Sequence, residues 1–320
     1  MKICIDSFTP ETITRFVFLN RLMPAMEKLG CTFQYETTNA DVILFTRKNR
    51  YDNRASSMPK VVRPVHIHII DKESSRTRNE NRVAMCKSAD MVIWQCHWLR
   101  KKYKKIMGFE AKNWKVVYNG IDKDYFNGVV PIKTARKKNV IMVANWASSQ
   151  NDRPRKRLRE MVAVAESYTK KHHDTGFIVV GDTNGYSVKI DNILFTGRIP
   201  FDRIASYLLA SDAMLNLTWL DNCPSAVVEA LVAGVPVVCN NETGVTEMVR
   251  DDGGIVVNID DTVKRYVPRN KPPAFDKNQV VEALEKVLSG WPKFERPELH
   301  IDYAAEQYYE ALKEVVYGRP

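Results

Sequence analysis

The chain has 320 residues, 44% of them hydrophobic and 27% charged, and a net charge of +10 at pH 7. This composition is typical of a soluble globular protein, and the length predicts about two domains. No apolar run approaches the roughly 20 residues of a membrane-spanning helix, and Met1–Asp6 predicts a strand rather than a secretory signal. Six scattered cysteines without a CxxC pair predict free thiols in a reducing compartment and argue against a zinc site. We therefore expect a cytoplasmic protein.

The positive charge is concentrated in the first part of the chain. Residues 1–136 carry 25 Lys and Arg against 13 Asp and Glu, a net charge of +12, whereas residues 137–320 carry 23 against 25, a net charge of −2. The densest run is Arg100–Lys105. A solvated helix face would explain it, and so would a surface that meets an anionic membrane, a phosphorylated acceptor or nucleic acid. Nucleic acid is the least favoured partner, because no stacking aromatics are interleaved with the basic residues.

In chain order, short apolar runs alternate with helical patterns. The predicted strands are Lys2–Ile5, Asp41–Phe45, Val61–Ile70, Met91–Trp94, Trp114–Tyr118, Val140–Ala144, Gly176–Val180, Ile193–Phe195, Ala213–Leu217, Val235–Cys239 and Gly254–Val257. The predicted helices are Thr12–Leu29, Asn79–Ser88, Leu99–Met107, Arg157–Lys171, Phe201–Ala210, Pro224–Ala233, Gln279–Leu288 and Tyr303–Val316. This alternation predicts parallel sheets covered on both faces. Because it restarts after the polar connector Pro131–Asn139, we expect two Rossmann-like domains.

Neither domain carries the glycine pattern of a dinucleotide site. The first strand of each would be followed by Asp6–Glu11 and by Asn145–Ser149, and neither segment contains GxGxxG. A nicotinamide-dependent dehydrogenase is therefore disfavoured.

Two carboxylates, Asp221 and Glu229, lie eight positions apart, on either side of a predicted helix start at Pro224. Proline suits a first helical position, because its missing N–H would have no partner there. Free amides in the turn Ser225–Val227, together with the helix dipole, would form an anion site. The arrangement suits a sugar nucleotide, with pyrophosphate on the amides and hydroxyls on the carboxylates. A capped amphipathic helix before a buried strand has the same pattern, and the spacing alone does not separate the two interpretations.

Other polar signals follow the predicted strands of the second domain, where ligands of open α/β sheets bind. Lys156 follows the first of these strands, and its charge suits a phosphate. A cation at a helix start is unfavourable unless an anion offsets it. Gly181-Asp182 and Gly197-Arg198-Ile199 follow the next two strands, and plain loop geometry explains these glycine turns equally well.

Taken together, these motifs resemble the retaining GT-B glycosyltransferases of family 4. The signature of that family is Glu, seven residues and Glu, followed by a helix, Gly-x-Pro-Val-Val and a Gly-x-x-Glu turn. This chain has Asp221, seven residues and Glu229, then Gly234–Val238 and Gly244–Glu247. The resemblance covers residues 90–260 well and the first 90 poorly. Further marks of the family are Ser88–Asp90, Asn119–Asp122, Phe195–Gly197 and Ala210–Asp212.

The resemblance implies a GT-B fold, in which two Rossmann-like domains face each other across a cleft. Residues 1–136 would form the acceptor-side domain, and residues 137–300 the domain that binds the nucleotide sugar. The last helix, within residues 301–320, would cross back to the first domain.

The resemblance also implies roles for individual residues. Glu229 matches the carboxylate that holds the ribose hydroxyls, Asp221 the carboxylate near the donor sugar, and Lys156 the phosphate lysine. The matched backbone contacts to the sugar, pyrophosphate and base come from Ser225, Ala226, Val227, Gly197, Arg198 and Ile199.

The chain departs from the family pattern at several positions. The first signature carboxylate is Asp instead of Glu, so its contact with the sugar would be shorter or made through water. The family's Gly-Arg after the first strand is replaced by Ala144-Asn145, so Arg153 and Arg155 become the candidates for the phosphate arginine. Ser7–Thr9 replaces a glycine-rich loop on the acceptor side. The family's histidine facing the donor sugar has two candidates here, which are His68 and Asp71.

The resemblance predicts a retaining, metal-independent transfer from a nucleoside-diphosphate sugar to an acceptor hydroxyl, with no cofactor. A UDP-sugar is favoured over a GDP-sugar, and the acceptor would be a carbohydrate or a lipid-linked molecule. The basic first domain suggests peripheral contact with an anionic membrane. The alternatives are a sugar-nucleotide epimerase on the same fold and a nucleic-acid-binding or nucleic-acid-modifying protein.

Overall fold

The computed structural model describes residues 1–6, 17–46, 57–64, 66–69, 72–146, 154–259, 266 and 272–318. The chain divides into two compact units. The first unit consists of Met1–Asp122, Val263–Arg269 and Pro297–Pro320, and the second of Lys123–Thr262 and Asn270–Arg296. The domain limits that we expect at residues 136 and 300 stay a prediction.

Each unit is built from β-strands and α-helices that alternate along the chain. The strands are β1 (Lys2–Asp6), β2 (Thr32–Gln34), β3 (Val42–Phe45), β4 (Lys60–Val62), β5 (Met91–Trp94), β6 (Trp114–Val116), β7 (Lys138–Val143), β8 (Thr175–Val180), β9 (Ile193–Gly197), β10 (Ala213–Asn216), β11 (Val237–Asn240) and β12 (Gly254–Val257). The helices are α1 (Val17–Glu27), α2 (Glu73–Lys87), α3 (His97–Met107), α4 (Leu158–Thr169), α5 (Ile204–Leu208), α6 (Ser225–Val232), α7 (Val245–Val249), α8 (Lys277–Leu288) and α9 (Ile301–Tyr317).

The first unit contains a six-stranded parallel sheet in the order β2-β1-β3-β4-β5-β6. Strands such as β3 are buried along their whole length, as expected of a parallel sheet covered on both faces. Helices α1 and α9 pack together over this sheet, with Leu22, Met26, Tyr308 and Leu312 in the shared core.

The last helix returns to the first unit, as the resemblance predicts. Its start pairs with the segment after β6, because Ile301 N–H donates to Ile121 O at 2.8 Å and Ile121 N–H donates to Leu299 O at 3.0 Å. A Cβ on Gly120 would lie 2.6 Å from the Ile301 Cα, so glycine is required for this close approach.

The predicted strand Val61–Ile70 is wrong beyond Val62, where β4 ends. Pro64 has no N–H to donate to a sheet ladder. The side chain of Asn79 then replaces a neighbouring strand: its Oδ1 accepts from His68 N–H at 2.9 Å, and its Nδ2 donates to His68 O at 2.7 Å. The apolar run continues in sequence, but side chains of other elements hold its backbone.

Other differences concern short or interrupted elements. Strand β2 and helix α7 have three and five residues and were not predicted. The predicted helix Phe201–Ala210 is divided into a 3-10 turn, Phe201–Arg203, and α5. The remaining predicted strands and helices each overlap an observed element.

The second unit contains a six-stranded parallel sheet in the order β12-β11-β10-β7-β8-β9. The chain proceeds outward from β7 to β9 and then returns to β10, on the other side of β7. This reversal is a topological switch point, and its carboxyl-end crevice is where open α/β sheets bind ligands. The core under α4 and α8 includes Met161, Phe177 and Leu284.

Candidate functional site

Lys156 and Asp221 meet across the switch point of the second unit. Lys156 ends a 3-10 turn, Pro154–Lys156, that follows β7, and Asp221 lies in the loop after β10. The Lys156 Nζ lies 2.7 Å from the Asp221 Oδ2, and the side chains are 14% and 20% exposed. Two residues that sequence analysis assigns to the donor are therefore brought together in a partly buried ion pair.

Asp221 is ionised at neutral pH. Burial raises the pKa of its carboxyl group, but the charge and hydrogen bond of Lys156, the charge of Arg155 and the backbone N–H of Asn222 together outweigh burial and hold the pKa below its usual value. Arg155 is half-buried and is close enough to contribute to this effect. The loop after β7 therefore places two cations beside one carboxylate.

Backbone hydrogen bonds fix the loop that carries Asp221. Trp219 N–H donates to Arg155 O at 2.8 Å, which ties the loops after β7 and β10 together. The carbonyl oxygen of Asp221 accepts from Gly244 N–H at 2.7 Å and from the Thr243 hydroxyl at 2.6 Å. The loop after β11 thus holds the Asp221 carbonyl oxygen with two hydrogen bonds, and the carboxylate interacts with Lys156 and with Asn222 N–H.

A buried network of hydrogen bonds, which was not predicted from the sequence, supports the loops after β10 and β11. The Asn216 side chain accepts from Thr218 N–H at 3.2 Å, the Asn240 side chain donates to Thr218 O at 2.9 Å, and Asn240 Oδ1 accepts from Glu242 N–H at 3.0 Å. All four residues are at most 6% exposed. In the sequence, strands β10 and β11 each end in an asparagine. Its side chain accepts a hydrogen bond from the backbone N–H two residues later, a pattern that is typical of this residue type.

The start of α6 presents fewer free amides than we expected. Val227 N–H donates to Pro224 O at 3.0 Å, so its amide is engaged. Within the described residues, the amides of Ser225 and Ala226 donate to no acceptor. Both residues are half-buried. The predicted anion site therefore consists of two open amides at the positive end of the helix dipole.

Glu229 lies in the second turn of α6 and is only 1% exposed. It interacts with other groups of the protein. A ribose would have to reach the carboxylate from the crevice and share or replace those interactions.

The segment Gly197-Arg198-Ile199 lies where β9, the edge strand, ends. The Gly197 carbonyl oxygen already accepts from Gly181 N–H at 2.9 Å, which joins the ends of β8 and β9. Arg198 is exposed and Ile199 half-buried, and Asn145 is exposed at the end of β7. These residues share the carboxyl edge of the sheet with the Lys156–Asp221 pair.

Arg157, which was not among the predicted site residues, is a buried arginine that follows Lys156 directly. It is 2% exposed, has a left-handed φ of 57°, donates to the carbonyl oxygen of Pro273 and lies 5.2 Å from the ring centre of Phe275. Burial lowers its pKa, and the nearby Glu160 opposes this effect. Arg157 anchors the loop that ends in Lys156. Arg153, the other candidate for the phosphate arginine, lies outside the described residues.

The candidates of the first unit are less completely defined. His68 is half-buried, and its ring packs edge-on against His66 with the ring centres 4.6 Å apart. Asp71 and Ser7–Thr9 lie outside the described residues. Within the described residues, no group of three or more His, Cys, Asp and Glu side chains could hold a metal ion.

The basic run Arg100–Lys105 lies on α3 and is partly neutralised. Glu110 binds Arg100 at 2.9 Å and Lys104 at 2.7 Å, and Lys102 is 5% exposed. Lys101 and Lys105 are exposed to solvent. No helix within the described part of the chain is both long and apolar enough to cross a membrane.

One family of known proteins matches most of the second unit. Residues 135–268 match the family described as Glycosyl transferases group 1. The group 1 segment includes β7 to β12 and thus both sides of the switch point, with Lys156, Asp221 and Glu229. A protein named as a teichuronic acid biosynthesis glycosyltransferase, TuaC of Bacillus subtilis, is 25% identical over 162 residues, which are 50% of this chain and 41% of that protein. The chain thus spans less than half the length of this relative.

Solved structures share the fold of the whole chain. WaaG, a glycosyltransferase involved in lipopolysaccharide biosynthesis, superposes with a TM-score of 0.63 at 14% identity and covers 100% of both chains. HepE of Anabaena, solved in complex with UDP-glucose, has a TM-score of 0.61 at 15% identity and covers 98% of this chain and 100% of its own. The UDP-GlcNAc 2-epimerase of Methanocaldococcus jannaschii has a TM-score of 0.58 at 14% identity, over 98% and 99% of the two chains.

These comparisons confirm the GT-B architecture that the resemblance implies, with two parallel six-stranded sheets and their helices. The group 1 match and the relationship to TuaC support a transferase.

Proposed function

We propose that this chain is a retaining glycosyltransferase that moves a sugar from a nucleoside-diphosphate sugar to an acceptor hydroxyl. The observation that carries the proposal is the Lys156–Asp221 ion pair at the switch point of the second unit. It lies in the group 1 segment, in the loop that leads to the open amides of Ser225 and Ala226.

The diphosphate of the donor binds at Lys156 and the start of α6. An ammonium group has three N–H donors, so Lys156 can keep its bond to Asp221 and still donate to a phosphate oxygen. The ion pair is neutral as a whole, and the positive field for the anion comes from Arg155 and the two open amides. Arg153 is the second candidate for a guanidinium contact.

The nucleoside lies along the carboxyl edge of the sheet. Glu229 accepts hydrogen bonds from the ribose hydroxyls, and the backbone of Gly197, Arg198 and Ile199 faces the base, with Asn145 beside it. Uracil is the favoured base, which is consistent with the UDP-glucose complex of HepE, and a GDP-sugar is the second choice. Asp221 accepts from a hydroxyl of the donor sugar.

The reaction breaks the bond between the anomeric carbon and the phosphate oxygen. The acceptor oxygen attacks from the same face, and its proton passes to the leaving phosphate oxygen. Lys156, Arg155 and the α6 amides stabilise the charge that develops on the diphosphate. The transfer requires neither a metal nor a cofactor. His68 and Asp71 are our candidates for the first-domain residue that faces the donor sugar in the family.

The acceptor is a carbohydrate or a lipid-linked molecule. The +12 charge of residues 1–136 supports peripheral contact with an anionic membrane, where a lipid-linked acceptor would be found. The exposed Lys101 and Lys105 on α3 contribute to this contact.

A sugar-nucleotide epimerase is the second candidate, because the epimerase of M. jannaschii shares the fold. The two functions differ in their substrates: an epimerase converts a sugar nucleotide alone, and a transferase consumes it and releases the nucleoside diphosphate. Analysis of the products by liquid chromatography distinguishes a new sugar nucleotide from free nucleoside diphosphate.

Thermal-shift titration with UDP, GDP, ADP and their glucose and N-acetylglucosamine conjugates tests the donor class. We expect the largest stabilisation with UDP or a UDP-sugar, because a ligand that binds only the folded state raises the melting temperature. If no nucleoside diphosphate stabilises the chain up to millimolar concentrations, the proposal is wrong.

A further inference from the structure

Arg63, in the first unit, is a buried guanidinium group that has no carboxylate partner among the described residues. It follows β4 directly and is 7% exposed. Its Nη2 donates to the side-chain oxygen of Asn119, and its Cζ lies 4.1 Å from the ring centre of Phe18. Among the described residues, no Asp or Glu forms an ion pair with Arg63, and its Nε is buried without a hydrogen-bond partner.

Thr46 lies beside Arg63 on the neighbouring strand. The sheet register pairs Phe45 with Val62, and Arg63 N–H continues the ladder by donating to Phe45 O at 2.8 Å. Thr46 is therefore the next register partner of Arg63, at the strand spacing of about 4.8 Å. It is 4% exposed, and its Oγ1 is also buried without a hydrogen-bond partner.

Within the described residues, Arg63 lacks a counter-ion and the Thr46 hydroxyl lacks a hydrogen-bond partner, and burying both at neighbouring register positions opposes folding. Burying a polar group without a partner is costly, and burying a charge costs more. The side-chain amide oxygen of Asn119 and the ring of Phe18 offset only part of this cost, because neither carries a full negative charge. Buried charged groups without a counter-ion are found mainly where the group binds a ligand or takes part in a reaction.

The position of the pair fits a ligand site. Thr46 and Arg63 lie at the carboxyl ends of β3 and β4. In the order β2-β1-β3-β4-β5-β6, the chain reverses between β1 and β3, so Thr46, at the end of β3, flanks the switch point of the first sheet, and Arg63, at the end of β4, lies one strand further along. Ligands of open α/β sheets bind in that crevice.

We infer that Arg63 and Thr46 bind an oxyanion, the phosphate or carboxylate group of the acceptor, and that Asn119 holds the guanidinium group in place. A guanidinium group presents its N–H donors in a fork that matches the oxygens of either group, and the threonine hydroxyl adds a third donor. The inference rests on the proposed function only in naming the acceptor as the molecule that carries the anion. It makes the acceptor of this chain a charged molecule.

Calorimetric titration with inorganic phosphate and, separately, with acetate tests the site at constant ionic strength. We expect saturable binding of at least one of the two anions. Binding of phosphate would indicate a phosphate group on the acceptor, and binding of acetate a carboxylate group. Arg63→Met should weaken this binding at least tenfold, because hydrogen bonds to a charged group are lost. Arg78→Met removes an exposed positive charge on α2 and should leave it unchanged. Equal affinities for Arg63→Met, Arg78→Met and the native chain would overturn the inference, as would the absence of saturable binding.

Thermal unfolding separates a ligand site from a structural arginine. Since no Asp or Glu of the described part of the chain pairs with Arg63, Arg63→Met should melt at the native temperature or above it. A clear loss of stability together with unchanged anion binding would show that Arg63 is structural. If Arg63→Met does not fold, Thr46→Val is tested instead. This variant leaves the charge of Arg63 in place and replaces the threonine hydroxyl by a methyl group of similar size. A several-fold loss of anion affinity in Thr46→Val supports the site, and full affinity overturns it.

A further variant separates this site from the proposed donor site, which would also attract phosphate. Lys156→Ala removes the proposed donor contact and should leave the binding that depends on Arg63 intact. If the protein binds anions at Arg63 but binds no nucleoside diphosphate, the proposed transferase function is wrong and the anion site stands. If it binds UDP and Arg63→Met does not change anion binding, the anion site is wrong and the proposed transferase function stands.

Discussion

The Lys156 Nζ lies 2.7 Å from the Asp221 Oδ2, so the two residues that flank the switch point of the second sheet are joined before any donor binds. The bond holds the lysine in one place and keeps the aspartate ionised. A catalytic cation that is fixed in advance needs no reorganisation when charge develops on a leaving group. In the proposed reaction, Asp221 therefore acts on the donor sugar and also positions Lys156.

Removing the lysine tests its role in the reaction. One charge-assisted hydrogen bond contributes about 1.5–3 kcal/mol, so Lys156→Ala should lower the rate of donor turnover at least tenfold. Lys170→Ala is the matched control, because Lys170 is exposed at the opposite end of α4. Full activity of Lys156→Ala would show that Lys156 does not contact the phosphate.

The ion pair should give the chain a defined pH dependence. Lys156 holds the pKa of Asp221 below its usual value, and such a group stabilises the fold above its unfolded-state pKa of about 3.9. This contribution is lost as the pH falls through the lower folded-state value. In Lys156→Ala, burial raises the pKa of Asp221, so the stability difference from the native chain should be largest above about pH 5 and shrink below about pH 4. Thermal unfolding between pH 2.5 and 7 measures it, and a difference that does not vary with pH would contradict the assignment.

Glu229 should be required for the nucleotide even without its sugar. Two ribose hydroxyls that donate to one carboxylate contribute about 1.5–3 kcal/mol each, so Glu229→Gln should weaken UDP binding at least tenfold. Glu282→Gln, at an exposed position on α8, is the matched control. Calorimetry measures both affinities. An unchanged dissociation constant in Glu229→Gln would remove Glu229 from the ribose.

The loop after β8 depends on a glycine. Gly181 has a φ of 123°, and a Cβ there would lie 1.9 Å from the Ala144 carbonyl oxygen. Gly181→Ala should therefore reduce the free energy of unfolding by about 3 kcal/mol or more. Gly185→Ala is the control: its φ is 80° and its Cβ meets nothing within 4 Å, so it should cost only about 1 kcal/mol. Urea unfolding compares the two variants, and equal losses would contradict the close packing of β8 against the end of β7.

The proposed membrane contact predicts binding to anionic vesicles at low salt. Each lysine near such a surface contributes about 1 kcal/mol, so Lys101→Glu combined with Lys105→Glu should reduce cosedimentation at least tenfold. Charge reversal at Lys170 and Lys171, in the second unit, serves as the control. If the native chain does not bind vesicles rich in phosphatidylserine at low salt, the contact is absent.

The sequence predicts most of the fold because the strands are short apolar runs between helical patterns. It fails where tertiary contacts decide the backbone. The run after Val62 alternates like a strand, but Asn79 binds both backbone groups of His68, and no local pattern reveals this partner. Strand β2 is too short and too exposed at the sheet edge to be distinguished from a loop.

The candidate site could be predicted only in part, for similar reasons. The spacing of Asp221 and Glu229 and the position of Lys156 after a strand are visible in the sequence. The ion pair is not, since 64 residues separate Lys156 from Asp221 and only the sheet order brings them together. Arg157 resembles its basic neighbours in sequence, and only the fold shows that its side chain is buried against Phe275.

The most direct test of the central claim follows the anomeric configuration of the sugar released from a donor. The chain is incubated with the sugar nucleotide that stabilises it most, and the first-formed anomer is identified by proton NMR before mutarotation. We predict slow release of the nucleoside diphosphate with the donor's configuration retained, a rate at least tenfold lower in Lys156→Ala, and a native rate in Lys170→Ala. An inverted first anomer, or equal release by Lys156→Ala and the native chain, would contradict a retaining transfer that depends on the Lys156–Asp221 pair.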